Sequence, residues 1–121
     1  MPANYVPFDK EEWLRLEKKA DFLRRYCLQT AVWGGSGHVG GSLSAMDCMT
    51  ILYHRFMKID VNNPDMPDRD RFILSKGHCA VGYGPVLVDL GFMPEEELKI
   101  FNLTGSKIGM HMDCNKVRGV D

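Results

Sequence analysis

The sequence predicts an α/β fold that is rich in helices and poor in strands, and three observations support this prediction. Apolar residues step by three or four over residues 9–32, which is the pattern of an amphipathic helix. Glycines at 34–41 and at 77 each stand before a further apolar, helical stretch. Only one short segment, 71–75, is β-leaning. Because one strand cannot form a sheet, we expect the front part of a larger, parallel-sheet α/β unit.

The first helix is predicted over residues 9–32 from its apolar spacing and from the residues at its ends. Asp9 and Glu12 have the spacing of a capping box at its start. The glycine pair 34–35 can adopt the left-handed conformation that ends helices. The helix is therefore expected to lead directly into the glycine-rich loop.

The second helix is predicted to begin at Ser42 or Ser44, since either side chain can cap it, and to run to about Met57. Residues 62–68 are polar and punctuated by proline, which predicts a loop. The apolar segment 71–75 follows this loop and is predicted as one buried strand.

The third helix is predicted from His78 to Leu90, with Gly91 as the residue that ends it. Pro94 and the three glutamates after it predict another short helix, because proline suits a first turn and acidic side chains suit the positive end of the helix dipole. From Thr104 onward the sequence has no periodicity, so an irregular segment is expected.

The composition fits one globular domain over residues 1–121, since 45% of the residues are hydrophobic and 26% are charged. The net charge of -1 leaves no basic excess for binding a nucleic-acid backbone. The apolar runs are too short to span a membrane and no signal peptide follows Met1, so we expect a cytoplasmic protein without membrane contact. The four cysteines lack a C-x-x-C pair, which argues against a zinc ribbon or a disulfide framework.

The glycine loop GGSGHVGGS, residues 34–42, also spells G-x-G-x-x-G from Gly35 onward. A dinucleotide-binding loop needs a strand directly before its first glycine, whereas the residues before this loop are predicted as helix. A nucleotide-binding oxidoreductase is therefore disfavoured. A glycine-rich linker between helices is the plainer alternative, yet it does not account for His38 at the centre of so bare a loop.

Two further histidines are candidates for binding. His78 follows Gly77 at a predicted helix N-terminus, where the dipole favours an anion such as phosphate, although a helix-capping histidine explains the position equally well. His111 lies between two methionines in the aperiodic segment, where a half-buried packing residue is the plainer interpretation. The spacing of histidines and cysteines predicts no metal site.

Taken together, the motifs occur in a definite order: SGHxG at 36–40, DRDRFILSKGH at 68–78, GF at 91–92, EL at 97–98, GS at 105–106, and His111. In this order they resemble the transketolase family, in particular the N-terminal, diphosphate-binding domain of thiamine-diphosphate-dependent transketolases. The wording GHVGGSLS at 37–44 is most similar to the branch whose enzyme is split into two subunits. The resemblance covers roughly residues 9–121, and the ordered set is more specific than any one motif.

The resemblance implies roles for five residues. His38 and Ser36 would contact the sugar substrate, and His111 would hydrogen-bond a hydroxyl of the transferred two-carbon unit, so His38 and His111 are the expected catalytic residues. Gly77 and His78 would hold the diphosphate of the cofactor. The implied cofactors are thiamine diphosphate and Mg²⁺, and the metal ligands of the family lie beyond the last residue of this chain. We therefore expect the three imidazoles to converge around one cofactor.

The implied activity is the transfer of a two-carbon ketol unit from a ketose, or its phosphate, to an aldose or its phosphate. The implied partner is a complementary C-terminal transketolase subunit that carries the pyrimidine-binding domain, within a homo- or hetero-oligomer. Because further cofactor motifs of the family would follow residue 121, we expect a truncated N-terminal subunit that is inactive alone. The alternative is a non-catalytic phosphate-binding or interaction domain with the same fold.

Four positions depart from the family pattern. Val39 stands where many members have proline, and Lys76 stands where many have asparagine. Met110 and Met112 flank His111 where glycine and proline are usual. The methionines belong to the end of the site that would recognise the sugar, so the identity of donor and acceptor is left open.

Overall fold

The computed structural model describes residues 7–121. They form four α-helices and one π-helical turn that extends the second helix: α1 (Lys10–Gly34), α2 (Val39–Ile51), the π-helical turn (Leu52–Phe56), α3 (Ala80–Leu90) and α4 (Glu96–Lys99). Each of α1, α2 and α3 packs against the other two. The expectation that no signal peptide follows Met1 concerns residues outside this described range.

Helix α1 confirms the first predicted helix. The backbone N–H of Glu12 donates to the Asp9 carboxylate at 2.7 Å, which is the expected N-cap hydrogen bond. The Glu12 side chain reaches Arg55 at 2.6 Å instead of completing a capping box. At the other end Gly35 has φ 67 and its N–H donates to the carbonyl of Val32, so the glycine pair ends the helix as predicted.

Helix α2 begins earlier than predicted, which corrects the assignment of Ser42 or Ser44 as its N-cap. The helix starts at Val39, and His38 is the N-cap residue without a side-chain capping bond. The hydroxyl of the buried Ser42 donates to the carbonyl of His38 at 3.0 Å and lies 3.4 Å from the carbonyl of Cys79. Packing against the start of α3 thus overrides the low helix propensity of the two glycines in this first turn.

The π-helical turn places two polar side chains against α3. The hydroxyl of Tyr53 is hydrogen-bonded to that of Tyr83 inside the core. The Nε2 atom of His54 lies 3.2 Å from Oδ2 of Asp89, while Lys19 of α1 donates to Oδ1 of the same carboxylate at 3.0 Å. The sequence predicts His54 as a surface or boundary residue without a function, and the structure places it at the boundary, with its side chain 12% exposed.

Helix α3 is the centre of the fold, since every residue from 80 to 87 is buried. It begins at Ala80 rather than at His78, and it ends at Gly91 with φ 96 as predicted. A Cβ atom on Gly82 would lie 2.5 Å from Cβ of Ser42, so α2 and α3 approach each other closely. Several residues of the other elements complete the core: Leu23, Cys27, Met46, Met49, Leu98, Phe101 and Ile108.

The predicted parallel sheet is not confirmed, because residues 7–121 contain no strand. In the segment 71–75 the N–H of Phe72 donates to the Asp121 carboxylate at 2.9 Å, and Ile73 is 77% exposed. The Phe72 ring packs against Tyr53 and Tyr83 at centroid distances of 5.4 and 5.6 Å. A strand needs a neighbouring strand for its backbone hydrogen bonds, so this β-leaning segment stays irregular.

The C-terminal part is irregular, as predicted, apart from the single turn α4. The helix predicted from Pro94 is limited to Glu96–Lys99. Just after it, the carbonyl oxygen of Phe101 would lie 2.5 Å from a Cβ atom on Gly34. The segment that follows α4 therefore lies directly against the end of α1.

No helix within residues 7–121 combines the length and hydropathy needed to cross a membrane. All four cysteines are free thiols, with Cys27 and Cys79 buried and Cys48 and Cys114 exposed. Burial raises the pKa of the Cys27 thiol to about 11, so this thiol stays protonated near neutral pH and serves as a packing residue.

Protonation of His54 is expected to destabilise the fold. Removal from water lowers the pKa of this imidazole and outweighs the attraction of Asp89, whose carboxylate is shared with Lys19. Since the unfolded chain then binds the proton more readily, stability is complete above the ordinary histidine pKa of about 6.5 and falls as the pH drops below it.

Denaturant unfolding of the wild type and of His54→Gln between about pH 8 and 5 measures this effect. The wild type is expected to lose more stability on acidification than the variant. A smaller loss in the wild type would mean that the attraction of Asp89 dominates, and the prediction would be wrong.

Candidate functional site

The candidate site lies where the first turn of α2 meets the start of α3. His38 directly precedes α2, and His78 lies two residues before α3. Their ring centroids are 5.0 Å apart and the ring planes are nearly perpendicular, at 80°. The structure thus brings together two histidines that are forty positions apart in the sequence.

The third histidine lies beside the same pair. A Cβ atom on Gly77 would be 3.3 Å from Cδ2 of His111, so the residue next to His78 is in contact with the His111 ring. His38, His78 and His111 are all exposed. Their ring nitrogens are therefore accessible to a ligand, each as a donor or an acceptor.

Two glycines in the first turn of α2, Gly40 and Gly41, allow this close arrangement because they have no side chain. A Cβ atom on Gly41 would lie 2.8 Å from Sγ of Cys79 and 3.5 Å from Nε2 of His78. Gly40, in the same turn, has no atom within 4 Å of the Cβ position. At Gly41 the turn packs against the segment that carries His78. At Gly40 it exposes backbone without a side chain, which a ligand can approach.

Lys76 adds a positive charge to the site, a role that the sequence alone did not suggest. Its ammonium donates to the Ser44 hydroxyl at 2.8 Å and lies 3.4 Å from the carbonyl oxygen of Gly41. These contacts tie the segment before His78 to the first turn of α2. The sequence indicated only that Lys76 departs from the asparagine that many family members have at this position.

A hydrogen bond from the C-terminal segment holds Ser36 in place. The side-chain amide of Asn102 donates to the Ser36 hydroxyl at 3.2 Å. Asn102 was not predicted as a site residue, since it belongs to none of the motifs and lies between the short predicted helix after Pro94 and the aperiodic segment from Thr104 onward. Only the packing of this stretch against the end of α1 brings it to the site.

A cavity of about 420 Å³ adjoins His111. Its charged lining consists of Lys107, Lys116, Asp113 and Asp121. The Asp121 carboxylate is bound by Arg69 at 2.5 and 3.0 Å, and these hydrogen bonds hold the pKa of that carboxyl below its usual range. Asp121 is therefore ionised near neutral pH and already paired. Within residues 7–121, Lys107 and Lys116 form no ion pair, so their charges face the His111 side of the site.

The donors at the site suit an anion that also carries hydroxyl groups. Three imidazoles, the ammonium of Lys76 and the hydroxyl of Ser36 can each donate a hydrogen bond. The bare backbone at Gly40 provides the close approach that a diphosphate and a sugar would need. Within residues 7–121, no three His, Cys, Asp or Glu side chains are grouped so that they could hold a metal ion. The residues present thus fit the diphosphate of a cofactor but supply no magnesium cage.

Comparison with known proteins identifies the family of this chain. The family model for the thiamine diphosphate binding domain of transketolase matches residues 17–121. The chain is 39% identical to 6-deoxy-6-sulfo-D-fructose transketolase subunit SqwG of Clostridium sp. (strain MSTE9), over 92% of this chain and 40% of that protein. It is 37% identical to an apulose-4-phosphate transketolase subunit of Actinobacillus succinogenes, over 88% of this chain and 39% of that protein.

Among solved structures, transketolase from Leishmania mexicana matches with a TM-score of 0.80 and 29% sequence identity, over 87% of this chain and 16% of that one. Over most of its length the chain therefore has the fold of one part of a transketolase. The chain spans about two fifths of the length of the two subunit relatives.

The substitution Gly41→Ala is expected to destabilise the protein and to displace His78, because the added Cβ atom would overlap Sγ of Cys79. Overpacking of this kind costs about 1–3 kcal/mol. Gly40→Ala is the matched control, since it makes the same change in the same helical turn where no atom is in the way.

Denaturant unfolding and the NMR signals of the His78 ring report the two effects. Gly41→Ala should unfold at lower denaturant than Gly40→Ala and should shift the His78 signals. Equal midpoints and unshifted signals would show that the contact at Gly41 does not set the position of His78.

Proposed function

The chain belongs to the family of transketolase thiamine diphosphate-binding domains, and we propose that it is the N-terminal part of an enzyme that transfers a two-carbon ketol unit from a ketose to an aldose. The observation that carries this proposal is the meeting of three motif histidines at one place. His38 and His78 lie 5.0 Å apart, and His111 is in contact with Gly77. A structural role alone does not require three exposed imidazoles to meet, two of them at the starts of helices and one in the irregular C-terminal segment.

His78 and Gly77 are proposed to hold the cofactor diphosphate. His78 lies two residues before the N-terminus of α3, where the helix dipole favours negative charge. Gly77 leaves room for the imidazole of His111 beside it. Lys76, bound to the first turn of α2, adds a positive charge to the same edge and strengthens the attraction for an anion.

His38, Ser36 and His111 are proposed to bind the sugar. His38 and His111 would be the catalytic pair, because an imidazole can donate and accept protons near neutral pH. Ser36 would contribute a hydroxyl to the same substrate. Both rings are exposed, so a sugar hydroxyl can reach them without rearrangement of the helices.

Thiamine diphosphate, when bound, supplies the stabilisation of negative charge on carbon that ketol transfer requires, and Mg²⁺ would accompany its diphosphate. The task of this chain is to orient the anion and the sugar hydroxyls. Since the described residues contain no cluster of metal ligands, the magnesium ligands are proposed to come from a part of the enzyme outside them.

The proposed partner is a complementary chain with the pyrimidine-binding domain, in a homo- or hetero-oligomer. Two relatives are named as transketolase subunits, which supports a split enzyme. Their names specify a sulfonated ketose and a phosphorylated one. A ketose or aldose that carries an anionic group is therefore the substrate class to test, and a cytoplasmic location stays a prediction.

Substitution of His78 separates cofactor binding from turnover. His78→Ala removes a charge-assisted hydrogen bond and should weaken thiamine diphosphate binding by about tenfold or more. His38→Ala should mainly lower kcat and leave cofactor affinity within about twofold, because its ring serves the sugar. Calorimetric titration with the cofactor and Mg²⁺, and steady-state kinetics on the enzyme assembled with its partner, measure both effects.

His54→Gln is the matched control, since its ring contacts Asp89 near the other end of α3, about 14 Å from Ala80 along the helix axis. This variant should keep both cofactor affinity and kcat. Equal losses of both kinds in His78→Ala and His38→Ala would reject the assigned roles. Cofactor binding without any ketol transfer would favour the non-catalytic domain.

A further inference from the structure

Asn102 has an unusual backbone conformation. Within residues 7–121 it is the only residue other than glycine with a positive φ, at 56°. Its backbone N–H donates to the carbonyl of Ile108 at 2.9 Å, which closes the loop 102–108. Asparagine tolerates this left-handed conformation better than most residues, but a glycine would adopt it without cost. The backbone conformation alone therefore does not explain why asparagine rather than glycine occupies this position.

The side chain of Asn102 connects two parts of the candidate site. Its Nδ2 atom donates to the Ser36 hydroxyl at 3.2 Å. Its Oδ1 atom lies 3.9 Å from the Cβ position of Gly109, two residues before His111. The carboxamide thus stands between the loop that carries His38 and the segment that carries His111.

Backbone packing beside Asn102 makes this a fixed connection. A Cβ atom on Gly34 would lie 2.5 Å from the carbonyl oxygen of Phe101 and 2.7 Å from its Cδ1. The end of α1 and the start of the 102–108 loop are therefore in direct contact. The hydrogen bond between Asn102 and Ser36 then fixes the distance between the residues that follow Gly34 and those that follow Phe101.

We propose that Asn102 is a positioning residue that fixes Ser36, and with it the loop 36–38, relative to the segment that leads to His111. The consequence for catalysis rests on the proposed function, since Ser36, His38 and His111 are the proposed sugar-binding residues. Asn102 itself is not a catalytic residue. It acts through Ser36, and strained residues of this kind are typically retained where the surrounding structure serves a site.

The variant Asn102→Gly isolates the side chain, because glycine keeps the positive φ and removes only the carboxamide. The amide of Gly35, directly before Ser36, donates to the carbonyl of Val32 and serves as the reporter. Its hydrogen exchange in the intact protein should become about two- to tenfold faster, as expected for the loss of one neighbouring hydrogen bond. Ser36→Ala should have the same effect from the other side. The double variant should be no faster than either single variant, because both changes break one interaction.

Asn102→Asp is the conservative control. Its carboxylate can accept a hydrogen bond from the Ser36 hydroxyl, so it should retain most of the protection seen in the wild type. In the assembled enzyme Asn102→Gly should lower kcat/KM for the sugar by about two- to tenfold. Affinity for thiamine diphosphate should stay within about twofold of the wild type, since the described contacts of Asn102 do not include His78.

Wild-type exchange rates in Asn102→Gly would overturn the proposal, and so would additive effects of Asn102→Gly and Ser36→Ala. An equal weakening of sugar and cofactor binding would also overturn it, because that result indicates a general loss of structure. A complete enzyme, assembled with its partner, that binds no thiamine diphosphate contradicts the proposed function instead, while the exchange measurements still decide the role of Asn102.

Discussion

The close contact between the first turn of α2 and the start of α3 is the constraint on which the rest of the structure depends. Ser42 packs where a side chain on Gly82 would stand, and its hydroxyl is shared by carbonyl groups of both segments. Because the two helices begin side by side, the residues just before them also meet. The approach of His38 to His78 is thus a consequence of helix packing and needs no long loop to arrange it.

The C-terminal segment adds the third histidine by different means. It has little regular secondary structure, so its position depends on a few tertiary anchors. The buried Phe101 and Ile108 fix its first half, and Asp121 bonds to Arg69 and to the backbone of the Phe72 segment at its end. Between these anchors the chain passes the site, which explains why His111 is both well placed and exposed.

Charge is distributed unevenly around the two ends of α3. Near its start, the ammonium of Lys76 stands with the exposed histidines, and its two described contacts are neutral oxygens. Near its end, Asp89 is shared by Lys19 and His54 in a largely buried cluster. Among the contacts within residues 7–121, the positive charge of Lys76 has no carboxylate partner where an anion is proposed to bind, while the charges at the other end are matched and serve the fold.

The sequence by itself determined α1 with its Asp9 cap, the stops at Gly35 and Gly91, and the ordered motifs that resemble a transketolase domain. These features depend on neighbours within about one helical turn, or on motif order, so they can be read locally. Only the tertiary structure decided that α2 starts before Ser42, that segment 71–75 forms no strand among residues 7–121, and that Asn102 reaches Ser36. Each of these outcomes is set by contacts between residues far apart in the chain, whose partners no local pattern specifies.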